Sequence, residues 1–141
     1  MKSGVGFEIL DHMADVVIQA HGECLEDVFA QMSEGMWFLM LEGAKIPNVC
    51  KWAIEVQGMD PEELLVNFLN EQIGFLEVEG LVVSQIEQIE IKKANGEFCL
   101  KSDVSGCHLS DLDVSPVIHV KAATFHELEV NPNYARVTFD V

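Results

Sequence analysis

Leu81-Val82-Val83-Ser84-Gln85-Ile86-Glu87-Gln88-Ile89-Glu90-Ile91-Lys92-Lys93-Ala94-Asn95-Gly96-Glu97-Phe98-Cys99-Leu100-Lys101-Ser102-Asp103-Val104 is the stretch that decides the fold class. Asn95-Gly96 supplies residues that accept the positive φ of a two-residue hairpin turn, and the flanking runs Leu81 to Lys93 and Glu97 to Val104 are rich in strand-forming residues. A long antiparallel hairpin is expected. Beyond it, after a polar loop containing Cys107 to Ser115, a strand from Val117 to Val130 is expected to meet a turn at Asn131-Pro132-Asn133 and to return as Tyr134 to Val141.

Upstream of Gly80 the apolar period is helical. Asp60 can cap a helix, Pro61 suits its first position, and Glu62 and Glu63 sit where the helix dipole favours negative charge. Leu64, Leu65, Phe68, Leu69, Phe75 and Leu76 supply its buried face, and Gly80 ends it. A second amphipathic pattern, Leu25, Val28, Phe29, Met32, Met36, Leu39 and Met40, predicts a helix over 25–41 with Gly43 as its stop. Met32, Met36 and Met40 are read as core residues. Trp52 to Val56 reads as a half-buried strand after the breaker Pro47, and Phe7 to Leu10 and Val16 to Ala20 as two short strands.

The element order is thus β-β-α-β-α followed by four strands, with no repeat or linker. It predicts an α+β fold, a two-layer sandwich in which a mixed or antiparallel sheet carries both helices on one face. A length of 141 residues fits one domain, 1–141, with a real core.

Composition narrows the function classes. Eight Lys plus Arg stand against 24 Asp plus Glu, a formal charge of −16, which repels a phosphate backbone and argues against direct nucleic-acid binding. A basic protein surface or a cation is the natural partner. Apolar runs are short, so neither a membrane span nor a secretory signal is expected. Cys24, Cys50, Cys99 and Cys107 are widely spaced and form no Cys-x-x-Cys pair, which fits a reduced, cytoplasmic compartment. Walker A, G-x-G-x-x-G, G-x-S-x-G and H-E-x-x-H signatures are all absent.

Three polar clusters remain: Asp11-His12-Met13-Ala14-Asp15, Val120-Lys121-Ala122-Ala123-Thr124-Phe125-His126 and the final Phe139-Asp140-Val141. If the chain ends meet, an aspartate from the first cluster, Asp140 and the terminal carboxylate would offer the hard oxygen ligands that Ca²⁺ or Mg²⁺ prefers. Each has a plainer reading. Asp11 and Asp15 suit backbone-bonding turn residues. Lys121 can be a solvated lysine, although a lone cation in an apolar strand invites a carboxylate partner. Strand alternation puts His126 with Val120, Ala122, Thr124 and Leu128, as a hydrogen-bonded histidine at the edge of the core.

Taken in order, Asp11 to Asp15, Gly58-Met59-Asp60-Pro61-Glu62-Glu63-Leu64-Leu65, Val120 to His126 and the ending Phe139-Asp140-Val141 resemble the archease family nearly end to end. The resemblance implies an accessory protein that activates an RtcB-type RNA-splicing ligase, promoting its GTP-dependent guanylylation and multiple turnover, and not an enzyme itself. It implies a divalent cation held by Asp15, Asp140 and the carboxylate of Val141, with Ca²⁺ the expected occupant in a crystal and Mg²⁺ or Mn²⁺ as alternatives. Lys121 and His126 fall on the family's functional strand, so Asp15, Lys121, His126 and Asp140 are the residues expected to carry ligase activation. Met13 stands where the family has Thr, Phe125 where it has Tyr, and Cys24 at an N-cap where Ser is common. The alternative is a general chaperone-like modulator of RNA-processing enzymes. A metal-dependent hydrolase using Asp15, Asp140 and His126 comes third, since no nucleophile or activated water is legible.

Overall fold

Helix α2, Pro61–Glu79, starts and stops where its flanking chemistry dictates. The Asp60 side chain accepts from the Glu63 N–H at 2.8 Å, and the Glu63 carboxylate reaches back to the Met59 N–H at 2.9 Å. Gly80 closes the helix at φ 68°, a left-handed conformation that glycine adopts without steric cost. Helix α1, Leu25–Leu41, has the expected span, but Cys24 at its N-cap makes no side-chain bond. Instead Asp27 reaches back to accept from the Glu23 N–H at 3.1 Å. Its C-cap is Glu42, at φ 49°, one residue before the predicted stop.

The computed structural model describes residues 4–11, 15–116 and 118–141. Its strands are β1 (Gly6–Asp11), β2 (Asp15–His21), β3 (Cys50–Gly58), β4 (Leu81–Ala94), β5 (Glu97–His108), β6 (Ala122–Ala123), β7 (Glu129–Asn131) and β8 (Tyr134–Asp140). All described pairings are antiparallel, and the fold is α+β. Where a single sheet was expected there are two. One runs β1-β2-β8-β6, with β7 also paired to β8, and the other runs β3-β5-β4.

The helices join the sheets. Helix α1 packs on β1, β2 and β8 of the first sheet and β4 of the second, whereas α2 packs on β3, β4 and β5 and reaches β6 and β7. Between them Phe29 and Phe68 stack with centroids 6.2 Å apart. Gln72, fully buried, accepts from the Ser33 hydroxyl at 2.7 Å and the Trp37 indole N–H at 2.8 Å. Met32, Met36 and Met40 are core residues, as expected. The hairpin around Asn95-Gly96 forms with both turn residues at positive φ. Its second strand is longer than expected and absorbs Cys107 and His108, with a 3-10 turn over Leu109–Asp111 behind it. Gly106 is required there, because a Cβ would overlap the Val82 carbonyl oxygen.

The predicted strand from Val117 to Val130 is corrected. Only Ala122–Ala123 and Glu129–Asn131 pair with β8, and a turn separates them. Thr124 is still tied to β8, its N–H and its hydroxyl both donating to the Thr138 carbonyl, at 3.0 and 2.8 Å; the break comes after it, where its hydroxyl accepts from the His126 N–H at 3.3 Å. The His126 N–H thus turns to a side chain two residues back instead of to a neighbouring strand. Leu128 N–H then closes on the Phe125 carbonyl, with Glu127 at φ 49°. Val117, like His12, Met13 and Ala14, lies outside the described residues.

Candidate functional site

The register of β2 on β8 is set by packing. Val16, Ile18 and Ala20 share one buried face with Phe139, Val137 and Ala135 across the ladder, while on the opposite face Val17 and Thr138 are buried and Asp15 and Gln19 are partly exposed. A slip of one residue would turn these side chains to the other face, so the core holds the register. That register pairs Asp15 with Asp140. Directly opposed residues of an antiparallel ladder have Cα atoms about 4.5–5.5 Å apart and point to the same face. Like charges so placed disfavour one another, and a cation between them removes the penalty.

Asp15 is half-buried, Asp140 exposed and Val141 half-buried at the end of the chain. The expected meeting of the two ends is therefore present in the backbone. On the other side of β8 the Lys121 N–H donates to the Asp140 carbonyl at 2.8 Å, and Ala122 is in register with Asp140. Three segments far apart in sequence thus converge on Asp140. No group of three His, Cys, Asp or Glu side chains is assembled among the described residues. Asp15 and Asp140 supply two carboxylates, and the third oxygen donor of the expected set is the main-chain carboxylate of Val141. Those all-oxygen donors suit Ca²⁺, Mg²⁺ or Mn²⁺ better than a soft metal.

Lys121 precedes β6 instead of lying inside a strand, and its side chain is exposed. Among the described residues its ammonium makes no ion pair, so the expected carboxylate partner is not found there. His126 is not at the core edge. It is exposed in the turn, 4.0 Å from the Glu127 carboxylate, whose other oxygen lies 3.7 Å from the Arg136 guanidinium. Arg136 is four residues along β8 from Asp140, about 13 Å of strand. His126 is thereby tied to a separate charged group beside the exposed ring of Phe125.

One contributor has no sequence signal. Strand β6 lies at an edge of its sheet, and the Asn70 side chain of α2 completes it. The Ala123 N–H donates to Asn70 Oδ1 at 2.8 Å, and Asn70 Nδ2 donates to the Ala123 carbonyl at 3.2 Å. One turn earlier, Asn67 Nδ2 donates to the Gln57 carbonyl of β3, an edge of the other sheet, at 2.8 Å. Asparagines at i and i+3 of a helix surface suggest only a solvated face until the fold brings two strand edges beside them.

A family model described as the Archease protein family (MTH1598/TM1083) matches residues 7–141. The protein archease of Methanosarcina barkeri is 31% identical over 130 residues, covering 92% of this chain and 88% of that one. That of Pyrococcus abyssi is 31% identical over 124 residues, covering 88% and 87%. The solution structure of Methanobacterium thermoautotrophicum protein 1598 superposes with a TM-score of 0.76 at 23% identity, over 96% of this chain and 99% of that one. At that identity the likeness shows a shared fold.

Proposed function

The chain belongs to the Archease protein family, an accessory protein rather than an enzyme, and from that premise we propose that it activates an RtcB-type RNA-splicing ligase by promoting guanylylation and repeated turnover. The observation that carries the reading is the register pairing of Asp15 with Asp140, with the Lys121 backbone bonded to Asp140 from the far side. An aspartate pair spent on a turn needs no such convergence. A general holdase has no use for it either.

In this reading the carboxylates of Asp15, Asp140 and Val141 hold a divalent cation, Ca²⁺, Mg²⁺ or Mn²⁺. The bound cation supplies charge compensation and a hard Lewis-acidic centre at an acidic tip. The chain's own residues do the rest: β2 and β8 set the carboxylate spacing, Lys121 is bonded to Asp140 through its backbone and offers an exposed ammonium on the neighbouring segment, and His126 extends the contact surface from the adjoining turn. The partner is a basic ligase surface, to which a protein of charge −16 is steered before docking. The cytoplasm is the compartment this partner implies. Among the described residues no helix is long and apolar enough to cross a membrane.

Multiple-turnover RNA ligation by the ligase of the same organism tests the proposal. Wild-type protein is expected to raise turnover, and Asp15→Ala to abolish the increase while remaining folded. Full stimulation by Asp15→Ala would remove the carboxylate pair from the mechanism.

A further inference from the structure

Strand β6 is only two residues long, yet it leads from Lys121 on one side to the Phe125-His126 turn on the other. On its inner side the segment is bonded to β8 by the Lys121 and Thr124 N–H groups and the Thr124 hydroxyl, around two register pairs. Its outer edge would leave the Ala123 N–H and carbonyl facing away from any strand, and Ala123 is buried, where unpaired backbone groups are costly. The Asn70 amide meets both groups at once, the donor at 2.8 Å and the acceptor at 3.2 Å, as a neighbouring strand would. The Asn side chain offers an amide acceptor and donor side by side on one planar head, and Asn70 is placed by a helix whose apolar face is locked into the core. Asn67, bonded to β3 one turn earlier, fixes the same helix face against the second sheet.

We propose that Asn70 is a positioning residue: it acts as a surrogate strand on the outer edge of β6 that fixes the 121–126 segment, and so fixes Lys121 where its backbone is bonded to Asp140. The inference rests on the ligase-activating reading for its functional consequence, but its structural content stands apart from it. Asp15 and Asp140 lie on the β2–β8 pair, which Asn70 does not touch. Loss of Asn70 should therefore disturb Lys121 and leave the carboxylate spacing alone.

The test compares wild type with Asn70→Ala, Asn70→Asp, Lys121→Ala and the double variant Asn70→Ala/Lys121→Ala. Asn70→Asp retains the acceptor for the Ala123 N–H and loses the donor to its carbonyl, so it guards against a variant that fails to fold. Amide hydrogen exchange comes first and needs no ligase. Exchange at Ala123 and Lys121 should accelerate at least tenfold in Asn70→Ala and less in Asn70→Asp, with β2 amides unchanged. Unchanged protection at Ala123 and Lys121 would overturn the inference.

Calorimetry with Ca²⁺ alone should give affinities within about threefold of one another for wild type and Asn70→Ala; a loss of more than tenfold would overturn it. With ligase present, maximal stimulation should fall about tenfold in Asn70→Ala, and the double variant should be no worse than Lys121→Ala. Additive losses would show a merely structural role and overturn the positioning claim. If wild type fails to stimulate the ligase, the functional reading falls while the exchange and calorimetry arms still decide the role of Asn70.

Discussion

At Asp140 of β8 two segments remote in sequence meet its strand, β2 through Asp15 and the β6 segment through the Lys121 N–H. The Asp140 charge should therefore have opposite effects with and without metal. In chelator, Asn at position 140 relieves a like-charge pair and Asp140→Asn should melt at least as high as wild type. At Ca²⁺ about 100 times its dissociation constant, wild type gains about 2.7 kcal/mol by linkage and should melt higher. Parallel thermal melts read both orders, and an order that ignores Ca²⁺ would contradict the cation site. Gln72 makes a second case, because two buried donors depend on one carbonyl oxygen. Gln72→Leu should cost about 2–4 kcal/mol in denaturant titration, since it orphans the Ser33 hydroxyl and the Trp37 N–H. Cys107 is held above its ordinary 9.0, first by burial and then by Asp111 and Cys50. A raised thiol pKa favours the folded state only while the thiol is protonated, so this contribution is complete below about pH 9 and is lost as pH rises through the folded value. Iodoacetamide should accordingly modify exposed Cys24 well before Cys107.

At the scale of elements, α2 does more than its length suggests. It begins on the Asp60–Glu63 cap and ends on Gly80, and between them it supplies core side chains inward and Asn67 and Asn70 to two sheet edges. Asp60→Ala should lower stability by about 1 kcal/mol and, through the helix face it holds, loosen protection at Ala123. Native-state exchange measures both. The helices were legible because their signals are local: a cap, a proline at the first turn, a 3.6-residue period and a glycine stop. The hairpin was legible for the same reason, through Asn95-Gly96. The segment after Ser115 was not, because its breaks come from partners remote in sequence. Thr124 bonds to Thr138, Ala123 to Asn70, and Glu127 reaches Arg136. Alternation alone placed His126 at the core edge, whereas the turn places it in solvent. The division into two sheets was also out of reach, since beyond a hairpin the strand pattern does not say which strands pair. The resemblance named Asp15 and Asp140 together as cation ligands, while the pairing of their strands comes from the packing of β2 on β8.

Across the whole molecule the charge is uneven. Strands β3, β4 and β5 carry four of the eight basic residues, Lys51, Lys92, Lys93 and Lys101, against five acidic ones. Nearly all of the net −16 therefore lies outside the three-stranded sheet, on the helices, the connections and the sheet that carries the Asp15–Asp140 pair. A basic partner should favour the surfaces outside the three-stranded sheet. Between about 0.05 and 0.3 M salt, the concentration of this protein needed for half-maximal stimulation should rise several-fold while maximal stimulation changes little. Neutralising Lys51 and Lys101 on the three-stranded sheet should have a smaller effect than neutralising acidic residues near the tip. Ligase titrations at several ionic strengths check both statements. The central claim is that the carboxylate pair at the chain's end activates a ligase, and the most direct measurement is the rate of GMP transfer to that ligase at fixed metal concentration, with wild type and with folded Asp140→Ala. The account predicts clear acceleration by wild type and none by the variant; equal acceleration by both would contradict it.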